Sequence, residues 1–142
     1  MAEHLEFKQI GHLSRDLTDP GASTLNAYKL VGRWGNTDPR THGLAELIIE
    51  LDGDNFNVMP VGAGADGPIK WPTASATPLA NLEEEAGQRT MALGATFELG
   101  FMRSETYIRI NKGVLVIVLF NTFLDDSGRS GYVNREFYYR RD

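Results

Sequence analysis

From Leu30 onward, apolar and polar residues alternate with a period of two, and turn-forming residues recur roughly every ten positions, the spacing of a β-meander. The first predicted strand, Leu30 to Asn36, is stopped by Asp38-Pro39, because proline restricts its predecessor and brings no ladder donor. The second, Leu44 to Leu51, sets Leu44, Glu46, Ile48 and Glu50 against Ala45, Leu47, Ile49 and Leu51, and the latter set is assigned to the core. Asp52-Gly53-Asp54-Asn55 closes a hairpin into Phe56 to Val61, since these residues tolerate positive φ. A fourth strand, Ile69 to Thr77, is broken by Pro72 and bounded by Pro78, which predicts an irregular or bulged wall. Leu79 to Ala86 fits one helical turn with Glu83, Glu84 and Glu85 in solvent.

Arg89 to Leu99 places Met91, Leu93, Ala95, Phe97 and Leu99 on one face, and Met102 to Asn111 places Met102, Ser104, Thr106, Ile108 and Ile110 opposite Arg103, Glu105, Tyr107 and Arg109. Lys112-Gly113 turns the chain into Val114 to Leu124. After the polar loop Asp125-Asp126-Ser127-Gly128-Arg129 comes a last strand, Gly131 to Arg140, rich in Tyr and Phe. A meander of eight strands has exposed edges unless it closes, and closure at that number leaves an interior just wide enough for side chains or one small ligand. The expected fold is therefore all-β: a single eight-stranded antiparallel up-and-down barrel over residues 30–142. Residues 1–29 form a helical or irregular N-terminal arm that plugs it, with a breaker cluster at Thr18 to Ser23 and a short helical piece around Ser23 to Lys29.

Composition narrows the partners. A chain of 142 residues with 42% hydrophobic and 23% charged residues builds one real core without staples. A formal net charge of −5 argues against a nucleic-acid partner, and Arg135, Arg140 and Arg141 are too small a basic cluster to reverse that. The absence of cysteine excludes disulfides, thiolate metal sites and a thiol nucleophile, and agrees with a cytoplasmic location. The N-terminal residues lack the apolar core of a signal peptide, and the longest apolar run, Val114 to Phe120, is far short of the roughly 20 residues of a membrane helix, so no membrane role is expected.

Gly32-Arg33-Trp34, after a short helical piece, resembles the Gly-x-Trp signature of lipocalins and their calycin relatives. The resemblance implies a calycin-like barrel whose Trp34 sits at the closed base under a basic residue of the last strand, Arg135 or Arg140. The stretch from Trp34 to Gly43, with Asp125 to Arg129, is also similar to small bacterial calycin-like proteins, a likeness that carries no substrate. The chain departs from secreted lipocalins in lacking a disulfide and a signal peptide, which argues against an exported carrier.

Candidate chemistry is sparse. Gly62-Ala63-Gly64-Ala65-Asp66-Gly67 matches a dinucleotide fingerprint, but Pro68 to Pro72 continues as extended chain where the motif needs a helix N-terminus, so it reads as a flexible hairpin loop at the barrel mouth. His4, His12 and His42 have no metal-ligand spacing; Asp52, Asp54, Asp125 and Asp126 read as turn formers; Ser104, Ser127 and Ser130 lack a nucleophile elbow. No metal and no cofactor is expected. The stronger signal is a set of large side chains beside a few polar ones, the make-up of a small-molecule pocket: Trp34, Asn36, Trp71, Phe97, Met102, Thr106, Asn121, Phe123, Tyr132 and Tyr138.

The leading expectation is an intracellular barrel that encloses a small hydrophobic molecule. The alternative is a cofactor-free isomerase or cyclase acting on a flexible polyketide- or terpenoid-like substrate in biosynthesis, with Glu136 and Arg135 as the catalytic pair. A third is an oligomerisation module. Val114 to Phe120 is apolar on both faces, so its outer face is expected to lie under the arm or against a second copy in a homodimer.

Overall fold

The computed structural model describes residues 27–80 and 91–142. The arm before residue 27, with His4 and His12, lies outside the described residues, as does most of the helical turn expected at Leu79 to Ala86. One 3-10 turn, Tyr28–Leu30, precedes nine strands: β1 (Gly32–Asn36), β2 (Leu44–Asp52), β3 (Asn55–Gly64), β4 (Gly67–Lys70), β5 (Ala74–Ala80), β6 (Met91–Glu98), β7 (Met102–Asn111), β8 (Val114–Phe123) and β9 (Tyr132–Arg140). All pairings are antiparallel, and β1 pairs with both β2 and β9, which closes the sheet. No helix among the described residues is long and apolar enough to cross a membrane.

The closed ring has eight staves, because β4 and β5 lie end to end along β3. β4 covers Val61 to Gly64 of β3, and β5 covers Phe56 to Val58. The fourth predicted strand is thus two pieces, split at Trp71-Pro72-Thr73, where proline removes the donor a continuous ladder needs. The glycine-rich segment forms the β3–β4 hairpin with Ala65-Asp66 at its tip, and its glycines are strand residues.

Uninterrupted alternation fixes β7. Met102, Ser104, Thr106 and Ile108 are buried inward, with outward residues more exposed. In β2 the simple alternation fails at one point. Leu44 pairs with Gly62 and Glu46 with Val61, so Ala45 is the extra residue of a bulge. Leu44 therefore enters the core with Leu47 and Ile49, Ala45 is only half-buried, and Leu51 is exposed at the hairpin.

One end of the barrel is packed shut. Leu30, Trp34, Leu47, Ile49, Leu93, Ile108, Leu115 and Ile117 are each at most 1% exposed and form the core with Tyr138. The Trp34 indole N–H donates to the Leu30 carbonyl at 2.9 Å, tying the tryptophan to the 3-10 turn beneath it. Arg140 lays its guanidinium 4.3 Å from the centre of the Trp34 ring and donates to the carbonyls of Val31 and Lys29 at 2.8 and 2.7 Å. Of the two arginines expected over Trp34, Arg140 holds that place.

Candidate functional site

The opposite end is built from smaller and more polar residues. Cross-strand pairing sets Phe97 of β6 beside Ser104 of β7, and Ser104 beside Asn121 of β8. The Ser104 hydroxyl donates to Asn121 Oδ1, and Asn121 Nδ2 donates to Asn134 Oδ1 at 2.8 Å, a chain that crosses three strands inside the barrel. Thr106 donates to the Ala95 carbonyl at 2.8 Å. Ser104, Thr106 and Asn121 are the buried polar residues among those described, and none of their side-chain atoms lacks a partner. That satisfaction is required, since an unpaired buried polar group costs about 1–3 kcal/mol.

Next to this wall the ring opens. β5 and β6 pair from Ala80 and Met91 up to Ala76 and Ala95. Beyond that point Ala74 and Ser75 pair only with β3, and Thr96, Phe97 and Glu98 only with β7. The divergence follows the proline break, because Trp71-Pro72-Thr73 adds no strand against β6. A cleft of about 500 Å³ results, lined by inner-wall residues Ala74, Ala95 and Phe97 together with Ser75, Thr77 and Thr96. Trp71 meets Phe97 edge-on, with ring centres 5.6 Å apart at 69°.

Glu136 faces inward from β9 and is fully engaged. Its Oε1 accepts from Asn36 Nδ2 at 3.0 Å and from the Thr41 hydroxyl at 2.7 Å, while Oε2 accepts from the Leu44 N–H at 3.2 Å. The carboxylate lies against Gly43, where a Cβ would come within 2.7 Å of both oxygens. Asn36 also donates to the Leu44 carbonyl at 2.9 Å, as does the buried Tyr138 hydroxyl at 2.7 Å. Burial first, and the neighbouring Glu136 carboxylate second, push the Tyr138 phenol far above its ordinary pKa of 10.0. These residues fasten the 37–43 loop to the barrel rim.

Phe123 and Tyr132 stand at the same rim with ring centres 6.0 Å apart, and the Arg129 guanidinium covers Phe123 at 3.9 Å. Arg129 is held by Asp125 at 2.8 Å, and the hydrogen bond from Ser127, then that from Arg129, keeps the Asp125 carboxyl below its usual range. The Asp125 to Arg129 segment is a self-bonded turn, in keeping with the turn-forming role expected of Asp125.

The expected site residues therefore separate. Phe97, Met102, Thr106 and Asn121 share the inner wall, Trp71 stands beside the cleft, and Phe123 and Tyr132 form the rim. Asn36, Glu136 and Tyr138 hold the loop, and Trp34 lies at the packed base. Arg135 points outward, 5.4 Å from the Phe137 ring, in a surface groove between β7 and β9. It shares no site with Glu136, because consecutive strand residues face opposite sides. Sequence reading missed Asn134 and Thr41. The parity of Asn134 with Tyr138 is the signal that finds the first; Thr41 lies in a loop, where no period marks it. No family model, no curated protein and no solved structure matches the chain.

Proposed function

We propose that this is a calycin-like barrel that binds one small, mainly apolar molecule at its polar end, entering through the cleft between β5 and β6. The observation that carries the reading is the cleft itself. Its lining includes the inner-wall side chains Ala74, Ala95 and Phe97, themselves at most 9% exposed, and its volume of about 500 Å³ falls in the range of small-molecule sites. Ala74, Ala95 and Ser104 stand on the inner wall of this end, where Trp34 and large aliphatic residues pack the other. Trp34 under Arg140, above a 3-10 turn, supports the calycin-like assignment.

The test is titration with the neutral fluorophore N-phenyl-1-naphthylamine. One saturable site is expected, with a stabilisation of about 2.7 kcal/mol at a hundredfold excess over Kd. Ala74→Phe, which fills the cleft, is expected to abolish it. Unsaturable binding, or equal binding by Ala74→Phe, overturns the reading.

A second reading, a cofactor-free isomerase or cyclase, is favoured by one observation, the inward carboxylate of Glu136 beside the Tyr138 phenol. Its three donors favour a fastening role instead, and Arg135 on the outer face is not available as its partner. Outside the barrel, Phe120 and Val133 are paired neighbours on β8 and β9, 49% and 60% exposed, and support a homodimer through that face.

A further inference from the structure

The outer face of β7, β8 and β9 carries a second groove, with a volume of about 390 Å³, which shares no residue with the β5–β6 cleft. Cross-strand pairing lays it out as two rows: Arg109, Val116 and Phe137 in one, Tyr107, Val118 and Arg135 in the next. The valines make the floor. An arginine and an aromatic residue stand on each side of it, in opposite order on β7 and β9. The Arg135 guanidinium leans along its strand to lie 5.4 Å from the centre of the Phe137 ring, which sets it across Val116 from Arg109. Val116 points away from the barrel interior and is nevertheless only 8% exposed, because the side chains around it wall the groove.

Charge sets this groove apart. In a chain with 19 acidic and 14 basic residues, the other arginines of the described strands are held by oxygen: Arg33 by Glu46, Arg103 by Glu98, and Arg140 by the Val31 and Lys29 carbonyls. Arg109 and Arg135 have no oxygen partner among the described residues, and both line the same concavity. Glu105 lies one row beyond Tyr107, beside Phe120, and acts on Arg103; Glu136 precedes Phe137 on β9 but faces inward, with its oxygens taken by Asn36, Thr41 and Leu44. The strands that carry the two arginines are about 10 Å apart, two ladder spacings. Water satisfies their N–H groups but leaves two like charges facing each other over an apolar floor, and an anion between them removes that repulsion.

We propose that this groove binds a small aromatic carboxylate, with its ring over Val116 and Val118 between Tyr107 and Phe137 and its carboxylate between Arg109 and Arg135. The planar guanidinium fork matches a carboxylate, and the aromatic walls and valine floor favour a flat apolar body over a simple inorganic anion. The volume lies at the small end of the range for small-molecule sites, which suits an acid of one or two rings.

Calorimetry on the full chain tests this with 2-naphthoate and its neutral analogue 2-naphthamide. At low salt one naphthoate is expected to bind about tenfold more tightly than the amide, and this advantage is expected to fall below about threefold at 0.5 M salt. Arg109→Gln and Arg135→Gln, surface changes that leave the floor intact, are each expected to weaken naphthoate about 5- to 10-fold and the amide less than twofold. Ala74→Phe in the cleft is expected to leave naphthoate binding unchanged. Equal binding of acid and amide, naphthoate binding that survives both glutamine substitutions, or its loss in Ala74→Phe overturns the proposal. So does an absence of naphthoate binding; if the glutamine substitutions then convert a dimer to monomers in light scattering, the groove is an interface between copies instead. The cleft is tested separately, because binding of N-phenyl-1-naphthylamine there is expected to survive both glutamine substitutions.

Discussion

If Glu136 fastens the 37–43 loop, its removal and the crowding of its seat must be the same injury, and a double-mutant cycle with Gly43 isolates it. Glu136→Ala strips acceptors from Asn36, Thr41 and the Leu44 N–H. Bonds to a charged group contribute about 1.5–3 kcal/mol each when buried, but this carboxylate is half-buried and water replaces part of the loss, so a cost of about 3 kcal/mol is expected. Gly43→Ala places a Cβ within 2.7 Å of both carboxylate oxygens and 2.9 Å of their carbon. Displacing the carboxylate then costs about 2 kcal/mol by breaking the same bonds. In the Glu136→Ala background the added methyl meets no carboxylate, and the Gly43 backbone is outside the left-handed region, so the same change becomes neutral or stabilises by a few tenths. The coupling is therefore about 2 kcal/mol. Urea unfolding with an unchanged m-value reads it. Additivity within about 0.5 kcal/mol refutes the fastening role.

Two further outcomes follow from the same packing. The folded-state pKa of Tyr138 is raised above the 10.0 of the unfolded chain, so the folded protein keeps a proton that the unfolded chain releases. Stability from this group is complete below pH 10 and is lost as pH rises beyond it, at up to about 1.4 kcal/mol per pH unit. Tyr138→Phe is expected to cost about 1 kcal/mol at neutral pH through the lost bond to Leu44 and to flatten the decline between pH 10 and 11, measured by urea unfolding; an equal slope in both proteins contradicts it. Arg140→Ala removes the cation over Trp34 and two bonds to backbone carbonyls, an expected loss of about 2 kcal/mol by guanidinium unfolding, and Arg140→Lys, which lacks the planar fork, recovers less than half. Full recovery by lysine shows that charge alone matters.

The closed barrel is legible because the period of two and the turn residues recur along the chain. The β7 set from Met102 to Ile108 alternates without a break, and Lys112-Gly113, both at positive φ, make the turn that their types suggest. The period of two puts Leu44 off the core face, because a bulge inserts one residue that no such period registers. The last strand hid its faces, since Phe137 and Tyr139 outside balance Tyr138 inside. Glu136 and Arg135 are consecutive in sequence, and a strand sends residues at an odd spacing to opposite sides. Pro72 marked the irregular wall, yet whether a proline break leaves a bulge or opens a cleft depends on β6, and local sequence carries no information on that distant strand.

The two ends of the barrel are built on opposed physical terms. At the base, large apolar side chains stand at most 1% exposed and supply the burial that holds a domain of this size together. At the other end the inner wall substitutes Ala74, Ala95, Ser104 and Asn121 for such residues. Leucine or valine at Ser104 and Asn121 would give equal or greater stability, because a satisfied buried hydrogen bond contributes only about 1 kcal/mol net and apolar burial about 25 cal/mol per Å². Core packing alone therefore does not account for a hydrogen-bonded chain that begins on a fully buried serine and ends on an accessible amide. The arrangement is accounted for if stability resides in the base and the polar end is shaped to receive a molecule.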